Sequence, residues 1–210
     1  MNLLNRRVAL ALLVAAPLAP IAVHAQEWKP DRAVTIVVPF PPGGSADTVA
    51  RLVGKRLSEL MAQPVVIDNR AGAGTVVGAT YVAKAPADGY TLLLSSGSTF
   101  TANPAIRPKL PYDSLKSFDP IGIVARIPLI VLANNDVPVN NVKEFVAAIK
   151  AAPDKYSYAS FGSGTTSHFT AEIVLRAVGA KLMHVPYRGS APAMTELIGG
   201  RVPFSVDTVT

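Results

Sequence analysis

The fold class is decided by one stretch of sequence, AVTIVVPFPPGGSAD at residues 33–47. Its first eight residues are short and rich in β-branched side chains, which is typical of a buried strand, and the prolines and glycines at 41–44 then end that strand. Ser45 has the side chain of a helix N-cap, and Asp47 lies in the first turn, where its charge complements the helix dipole. A strand that runs through a Gly/Ser loop directly into a helix is the repeating unit of an α/β fold.

The same order of elements recurs on both sides of a proline-rich segment. Apolar runs at 65–67 and 91–95 predict further strands, and their uninterrupted apolar character favours a parallel sheet covered on both faces. Four prolines between 104 and 120 indicate a crossing into a second lobe. Beyond the crossing, strands are expected at 121–132, 156–160, 182–187 and 202–207. We therefore predict a two-lobed α/β fold with parallel-rich sheets and helices on both faces, with lobes at 26–103 and 104–210.

The first 25 residues have the composition of a cleavable secretory signal. Arg6 and Arg7 give a positive start, an apolar run follows at 8–16, and Val23-His24-Ala25 is a small-residue cleavage site. The apolar run is shorter than the roughly 20 residues of a membrane-spanning helix. We expect export to the periplasm, cleavage after Ala25 and no stable membrane anchor in the mature protein.

Composition excludes several classes of function. Half of the residues are apolar and 16% are charged, which is sufficient for a packed core. The Lys and Arg residues behind the net charge of +6 are scattered along the chain, without the basic run of a nucleic-acid-binding surface, so a small anionic ligand is the better fit. The absence of cysteine removes disulfides, thiolate metal sites and thiol catalysis. We expect no nucleic acid, no metal and no cofactor.

Two Gly/Ser loops, one in each lobe, are the candidate ligand-binding motifs. Gly43-Gly44-Ser45 and Ser163-Gly164-Thr165-Thr166 each follow a predicted strand and open a helix, at the edge of the sheet where open α/β folds bind ligands. Such a loop presents backbone N–H groups and the positive end of a helix dipole, which bind carboxylate or phosphate. One such loop alone is better explained as a tight turn, but two facing loops favour a ligand.

Several other side chains at strand ends are candidates for the same site. His168 lies in the first turn of its helix, where it would donate to a ligand or cap a loop, whereas His184 lies inside a strand and is better explained as a packed core histidine. Tyr187 would stack or hydrogen-bond, and Arg188 would attract an anion or lie at the surface. Asp207 ends an apolar strand and would accept a hydrogen bond from a ligand or a bridging water.

An enzyme is the main alternative interpretation. The spacing around Gly162 is similar to a dinucleotide fingerprint, but Ser167 occupies its third position and no ribose-binding acid follows, so a nicotinamide cofactor is not expected. A secreted hydrolase or transferase would use Ser163 or Ser167 as the nucleophile and His168 as the base, although neither serine lies in a nucleophile elbow. A non-functional remnant is a third alternative, because the sequence stops at the end of a predicted strand.

Four motifs in the same order resemble the Bug family, the periplasmic receptors of tripartite tricarboxylate transporters. They are VPFPPGGSAD with Arg51, NRAGAG at 69–74, DGYTL at 88–92 and HVPYRG at 184–189. The resemblance implies a type II periplasmic-binding fold that holds a mono-, di- or tricarboxylate, or a related organic anion, between its lobes. It also implies delivery to two membrane subunits of a transporter and no catalysis, and we expect a monomer.

The resemblance also implies which residues contact the ligand. The first loop corresponds to 40–47, the segment after Leu94 supplies polar contacts, and the second loop corresponds to 163–168. The expected ligand-binding residues are Phe40, Pro41, Gly43, Gly44, Ser45, Asp47, Ser96, Gly97, Ser98, Ser163, Gly164, Thr165, Thr166, His168, Tyr187, Arg188, Gly189 and Asp207. Family members continue for roughly a hundred residues more, so we expect a C-terminally truncated product with an incomplete first lobe.

Overall fold

The structure of the protein, a computed structural model, describes residues 28–209. The predicted signal peptide at 1–25 lies outside the described residues. Strands within the described range form two sheets, one of three strands and one of four. Among the helices at 28–209, none has the length and apolar character needed to cross a membrane.

The first sheet is entirely parallel, as its apolar strands predict. It consists of β1 (Val34–Val38), β2 (Val65–Asn69) and β3 (Thr91–Leu93), in the order β2-β1-β3. The connections are helices α1 (Ser45–Met61) and α2 (Val76–Ala83). The central strand β1 is almost completely buried, because a strand with parallel neighbours on both sides is covered on both faces.

Helix α1 packs on the sheet through small residues. The helical spacing of Leu52, Leu57 and Leu60 predicts one apolar face, but Leu52 and Leu60 are each 66% exposed, and only Leu57 of the three packs into the core. The buried line instead runs through Ala50 and Gly54. A Cβ on Gly54 would lie 3.1 Å from a side-chain methyl of β2, so the helix lies closer to the sheet than leucines would allow. In the first turn of α1, Asp47 is also buried.

The connection between the sheets is largely irregular. A π-helical turn at Ser98–Ala102 leads into the short helix α3 (Asn103–Ile106). The strand expected at 121–132 begins only at Leu129, and Ile121 and Ile123 are exposed. Pro120 and Pro128 flank this segment and have no N–H groups for a ladder, which explains why the apolar pattern does not become a strand there.

The second sheet is mixed, with one antiparallel strand at its edge. Its strands are β4 (Leu129–Ala133), β5 (Ser157–Ser160), β6 (Met183–Pro186) and β7 (Phe204–Thr208), in the order β4-β7-β5-β6. Strands β5, β6 and β7 are parallel, whereas β4 is antiparallel to β7. The helices are α4 (Val142–Ala151), α5 (Thr166–Val178) and α6 (Ser190–Ile198). The predicted N-cap Asn141 accepts a hydrogen bond from the Glu144 N–H at 3.0 Å.

The two sheets meet at the carboxyl ends of their parallel strands. Phe40 follows β1 and Phe161 follows β5, and their rings meet edge to face with centroids 6.0 Å apart. The predicted α/β fold with parallel-rich sheets is therefore confirmed. Its topology brings the strand-to-helix loops of both halves to one place.

A candidate ligand-binding cleft

A cleft of about 430 Å³ lies between the two sheets. Four loops line it, each at the end of a parallel strand: Pro39 and Phe40 after β1, 71–75 after β2, Phe161, Gly162, Ser163 and Thr165 after β5, and 186–188 at the end of β6. Arg107, just after helix α3, completes the lining. This is the edge of an open α/β sheet at which ligands are bound.

Five of the predicted ligand-binding residues line this cleft. They are Phe40, Ser163, Thr165, Tyr187 and Arg188. The lining includes Arg107 and Arg188 but no acidic side chain, so its charged groups within the described chain are cationic. A cleft with this lining favours an anion.

A second set of predicted residues forms a direct contact between the halves beside the cleft. Gly189 faces the ring of Pro41 so closely that a Cβ at Gly189 would lie 2.3 Å from Pro41 Cγ. A Cβ at Gly43 would lie 3.8 Å from Ala191, and one at Gly44 would lie 3.6 Å from Ser190. The glycines of this contact therefore let the starts of helices α1 and α6 approach each other.

Asp207 lies beneath this contact and is fully buried at the end of β7. Its Oδ1 accepts hydrogen bonds from Ser190 Oγ at 2.7 Å and from the Thr208 N–H at 2.7 Å, whereas Oδ2 has no hydrogen-bond partner among residues 28–209. The hydroxyls of Ser45 and Thr208 are hydrogen-bonded at 2.9 Å. Asp207 and its neighbour thus connect the first turns of both helices.

Asp47 anchors the first loop from inside the protein. Its carboxylate accepts a bidentate pair of hydrogen bonds from Arg51 at 3.0 Å each, one from Asn69 at 3.0 Å and one from the Gly43 N–H at 3.0 Å. Burial alone would raise the pKa of Asp47, but the hydrogen bonds from Arg51, Gly43 and Asn69 outweigh burial and lower it. Asn69 also donates to the Phe40 carbonyl. The role supported for Asp47 is positioning of the loop.

A third set of predicted residues forms another contact between the halves. Ser98 Oγ accepts a hydrogen bond from the Thr166 N–H at 3.0 Å, and a Cβ at Gly97 would lie 3.3 Å from the Thr166 methyl. Ser96 Oγ accepts from the Ser98 N–H at 3.3 Å. The first turn of α5 is therefore capped by a side chain from the other half of the chain.

The second Gly/Ser loop differs from the prediction in its backbone donors. The N–H groups of Gly162, Gly164, Thr165 and Thr166 already donate to Ser160, His168, the Gly162 carbonyl and Ser98. Within the described chain, this leaves Ser163 N–H as the unpaired amide between 162 and 166. The sequence shows that the loop has many donors, but it does not show that distant side chains occupy most of them.

His168 belongs to a column of three stacked rings behind this loop, in which Tyr158 is buried and both histidines are half-buried. Its ring stacks on His184 with centroids 4.2 Å apart, and His184 stacks on Tyr158 at 4.9 Å. His168 Nδ1 accepts a hydrogen bond from the Gly164 N–H at 3.3 Å, so this histidine braces the loop. His184 Nε2 is hydrogen-bonded to Ser160 Oγ at 2.7 Å, so this half-buried histidine has a partner within its own sheet.

The arrangement gives no support to a serine nucleophile activated by His168. Ser167 Oγ donates instead to the Val206 carbonyl at 2.5 Å, and Ser163 is exposed. No hydrogen bond joins either serine to His168 in the part of the chain that the structure describes. Among residues 28–209 there is also no group of three or more His, Cys, Asp or Glu side chains placed to hold a metal ion.

We expect the stability of the protein to depend on His184 in mildly acidic solution. Burial, together with the neighbouring His168, lowers the pKa of His184 from 6.5 to about 4. Because the folded-state pKa lies below the unfolded one, the unfolded chain binds more protons between these values. The free energy of unfolding therefore keeps its full value, as far as His184 is concerned, above pH 6.5. It falls as the pH is lowered toward 4, by an amount on the order of 3 kcal/mol at about 1.4 kcal/mol per pKa unit.

Urea unfolding at several pH values between 4.5 and 7 measures this dependence. The His184→Gln variant is expected to show a smaller decrease in unfolding free energy over that range than the unmodified protein. Equal slopes for the two proteins would show that His184 does not carry the dependence.

The loop at 71–75 and Arg107 are parts of the cleft that the sequence did not predict. Ala73 and Thr75 have φ values of 48° and 86°, a left-handed backbone that non-glycine residues seldom adopt. Asn103 Nδ2 donates to the Gly74 carbonyl at 2.6 Å, and Arg107 donates to the Ala73 carbonyl at 3.3 Å. Backbone strain held in place in this way is concentrated at functional sites. The glycines of NRAGAG are the only sequence signal for this loop, and Arg107 has none.

The chain matches a family model over residues 49–210, described as the tripartite tricarboxylate transporter family receptor. Curated relatives, among them Protein BugT of Bordetella pertussis, are 35% to 38% identical over 208 to 210 residues. These matches include 99% to 100% of this chain, and the chain spans 62% to 64% of the length of those relatives.

Solved structures with related sequences have the same fold. The periplasmic binding protein BugD is 37% identical with a TM-score of 0.80, and the match covers 85% of this chain and 60% of that chain. R. palustris Rpa4515 with adipate is 37% identical with a TM-score of 0.83, over 85% of this chain and 60% of that one. MatC from Rhodopseudomonas palustris with bound malate is 35% identical with a TM-score of 0.80, and the match covers 85% of this chain and 61% of that chain.

Proposed function

The chain belongs to the tripartite tricarboxylate transporter receptor family, and on that premise we propose that it binds a small organic carboxylate between its two lobes without transforming it chemically. The observation that carries the proposal is the cationic lining of the cleft. Arg107 and Arg188 line it, no acidic side chain of the described chain does, and the loop at 71–75 is held strained at its edge. Adipate and malate in the related structures are ligands of the same chemical class.

The same proposal includes the cellular setting and partners. The signal-like sequence at 1–25 and the similarity to the periplasmic protein BugD support export to the periplasm. In that compartment a monomer with lobes at 26–103 and 104–210 would deliver its ligand to the two membrane subunits of a transporter. Closure of the lobes on the ligand would expose a different surface to those subunits than the empty protein does.

Calorimetric titration of the purified protein with mono-, di- and tricarboxylates tests the binding proposal. We expect saturable binding of at least one carboxylate, with affinity that decreases as salt is added, because the attraction is partly electrostatic. An uncharged amide of the same acid should bind much more weakly. Absence of saturable binding across the panel would contradict the proposal.

The Arg188→Gln variant should weaken binding of every carboxylate about tenfold, or about 1.4 kcal/mol. Arg188 is exposed and lines the cleft, and no carboxylate within the described chain pairs with it, so its charge is available to a ligand. Arg126→Gln is the matched control, because Arg126 is also exposed but does not line the cleft. If both variants weakened binding equally, only the net charge of the protein would matter and Arg188 would have no local role.

A further inference from the structure

Arg107 differs from the other cationic residue of the cleft in how firmly it is held. Its Nε donates to Asn103 Oδ1 at 2.9 Å, and one of its terminal nitrogens donates to the Ala73 carbonyl at 3.3 Å. Asn103 is itself fully buried and hydrogen-bonded to the Gly74 carbonyl, so the guanidinium is held by a buried side chain. Arg188, in contrast, is exposed and has no hydrogen bond within the described chain.

The position of Arg107 puts its charge between the two halves. A terminal nitrogen of its guanidinium lies 3.8 Å from where a Cβ would stand on Gly74, and 3.7 Å from the equivalent point on Gly164. The other end of the Gly/Ser loop lies near the strand that leads to Arg188, since a Cβ at Gly162 would lie 3.3 Å from the Tyr187 carbonyl. Arg107 thus lies near Gly164, and the residue before Arg188 lies near Gly162, two positions earlier in the same loop.

No acidic side chain neutralises either charge within the cleft. Among residues 28–209, the ion pairs involve other arginines, and neither Arg107 nor Arg188 has a carboxylate partner within 4.0 Å. A guanidinium whose orientation is already fixed binds a carboxylate with little loss of side-chain entropy, and its planar array of donors matches the two carboxylate oxygens. Only a ligand with two anionic groups would use both positions.

We propose that Arg107 binds the second carboxylate of the ligand, so that the protein selects dicarboxylates over monocarboxylates of the same chain length. The inference rests on the proposed function, since it assigns one residue of that cleft to the far end of a carboxylate ligand. Arg188 and the Ser163 amide then serve the near carboxylate, which all members of a homologous acid series share. Discrimination comes from Arg107 because a monocarboxylate places a methyl group against its charged donors and leaves them unpaired.

Titration with adipate and with hexanoate measures this selectivity, because the two acids have chains of the same length and differ in the second carboxylate. We expect the unmodified protein to bind adipate at least tenfold more tightly. In Arg107→Gln the adipate affinity should fall about tenfold while the hexanoate affinity stays within about twofold, so that the preference disappears. Arg107→Lys should keep part of the preference, because it keeps the charge and loses the planar donor array.

Two results would overturn the assignment of Arg107. Equal losses for adipate and hexanoate in Arg107→Gln would mean that Arg107 only braces the strained loop at 71–75. Unchanged affinity for both acids would mean that it contacts neither. Thermal unfolding of each variant shows whether the fold is intact, and Arg126→Gln controls for net charge. If the unmodified protein bound no carboxylate at all, the proposed function itself would fail, which is a different result from a lost preference.

Discussion

Replacing Gly189 by alanine is expected to lower the affinity for carboxylate ligands about 100-fold, or about 3 kcal/mol. The backbone at Gly189 has a φ of 145°, and an added Cβ would lie 2.3 Å from Pro41 Cγ and 2.4 Å from Pro41 Cδ. Carbon atoms in contact are ordinarily about 3.5 to 4 Å apart, so the two loops would have to separate by more than 1 Å. That separation would open the contact between the halves beside the cleft, where residues from both halves must bind the ligand together.

The fold of each half should survive this substitution, because the clash occurs between the halves. Gly179→Ala is the matched control: Gly179 has a φ of 67°, but no atom lies within 4 Å of its added Cβ. The control should lose about 1 kcal/mol of stability from backbone strain and no affinity. Calorimetric titration of both variants provides the comparison. If Gly189→Ala bound ligand within threefold of the unmodified protein, the close contact of the loops would be unnecessary for binding.

Removal of the Asp47 side chain should cost more stability than any other substitution proposed for this protein. Asp47→Ala takes away the acceptor for Arg51, Asn69 and the Gly43 N–H at the start of helix α1. The side chain of Asp47 is 6% exposed but that of Arg51 is 55% exposed, so Arg51 can return to water while the loop loses its anchor. We expect a loss of about 2 to 3 kcal/mol, or roughly 5 to 10 °C in Tm for a chain of this size.

The ion pair between Arg56 and Glu59 on the same helix provides the control. Both side chains are at least half exposed, and Glu59→Ala should cost less than about 0.5 kcal/mol. Urea unfolding of both variants measures the difference. The stabilisation by Asp47 should also persist above pH 4 and disappear as the pH falls through its lowered pKa, because protonation removes the acceptor charge. A loss for Asp47→Ala no greater than that for Glu59→Ala would show that the buried network is not the anchor.

Local sequence patterns predicted most of the fold. The apolar runs predicted β1, β2 and β3, Asn141 predicted the start of α4, and the four ordered motifs predicted the Bug family, which the family match confirms. The patterns failed where a neighbour decides the outcome. The apolar segment that begins at Ile121 has no strand beside it until Leu129, and α1 turns Gly54 rather than Leu52 toward the sheet.

Local sequence patterns predicted only part of the candidate site, because the rest depends on contacts with distant residues. Gly43-Gly44-Ser45 and the loop at 163–168 are recognisable because each follows a strand and opens a helix, which is a local pattern. Local pattern does not distinguish Thr165, which lines the cleft, from Thr166, whose N–H is taken by Ser98 from 68 residues away. It also gives Arg107 no distinction from any other arginine.

By itself, then, the sequence determined the α/β class, the two Gly/Ser loops and the family, because these depend on neighbours a few residues apart. Only the tertiary structure decided that Gly189 meets Pro41, that Asp47 holds its loop from inside, and that Arg107 enters the cleft. These features depend on distances between atoms that the chain brings together from remote positions. Such distances follow from the packing of whole sheets and helices, which local residue patterns do not specify.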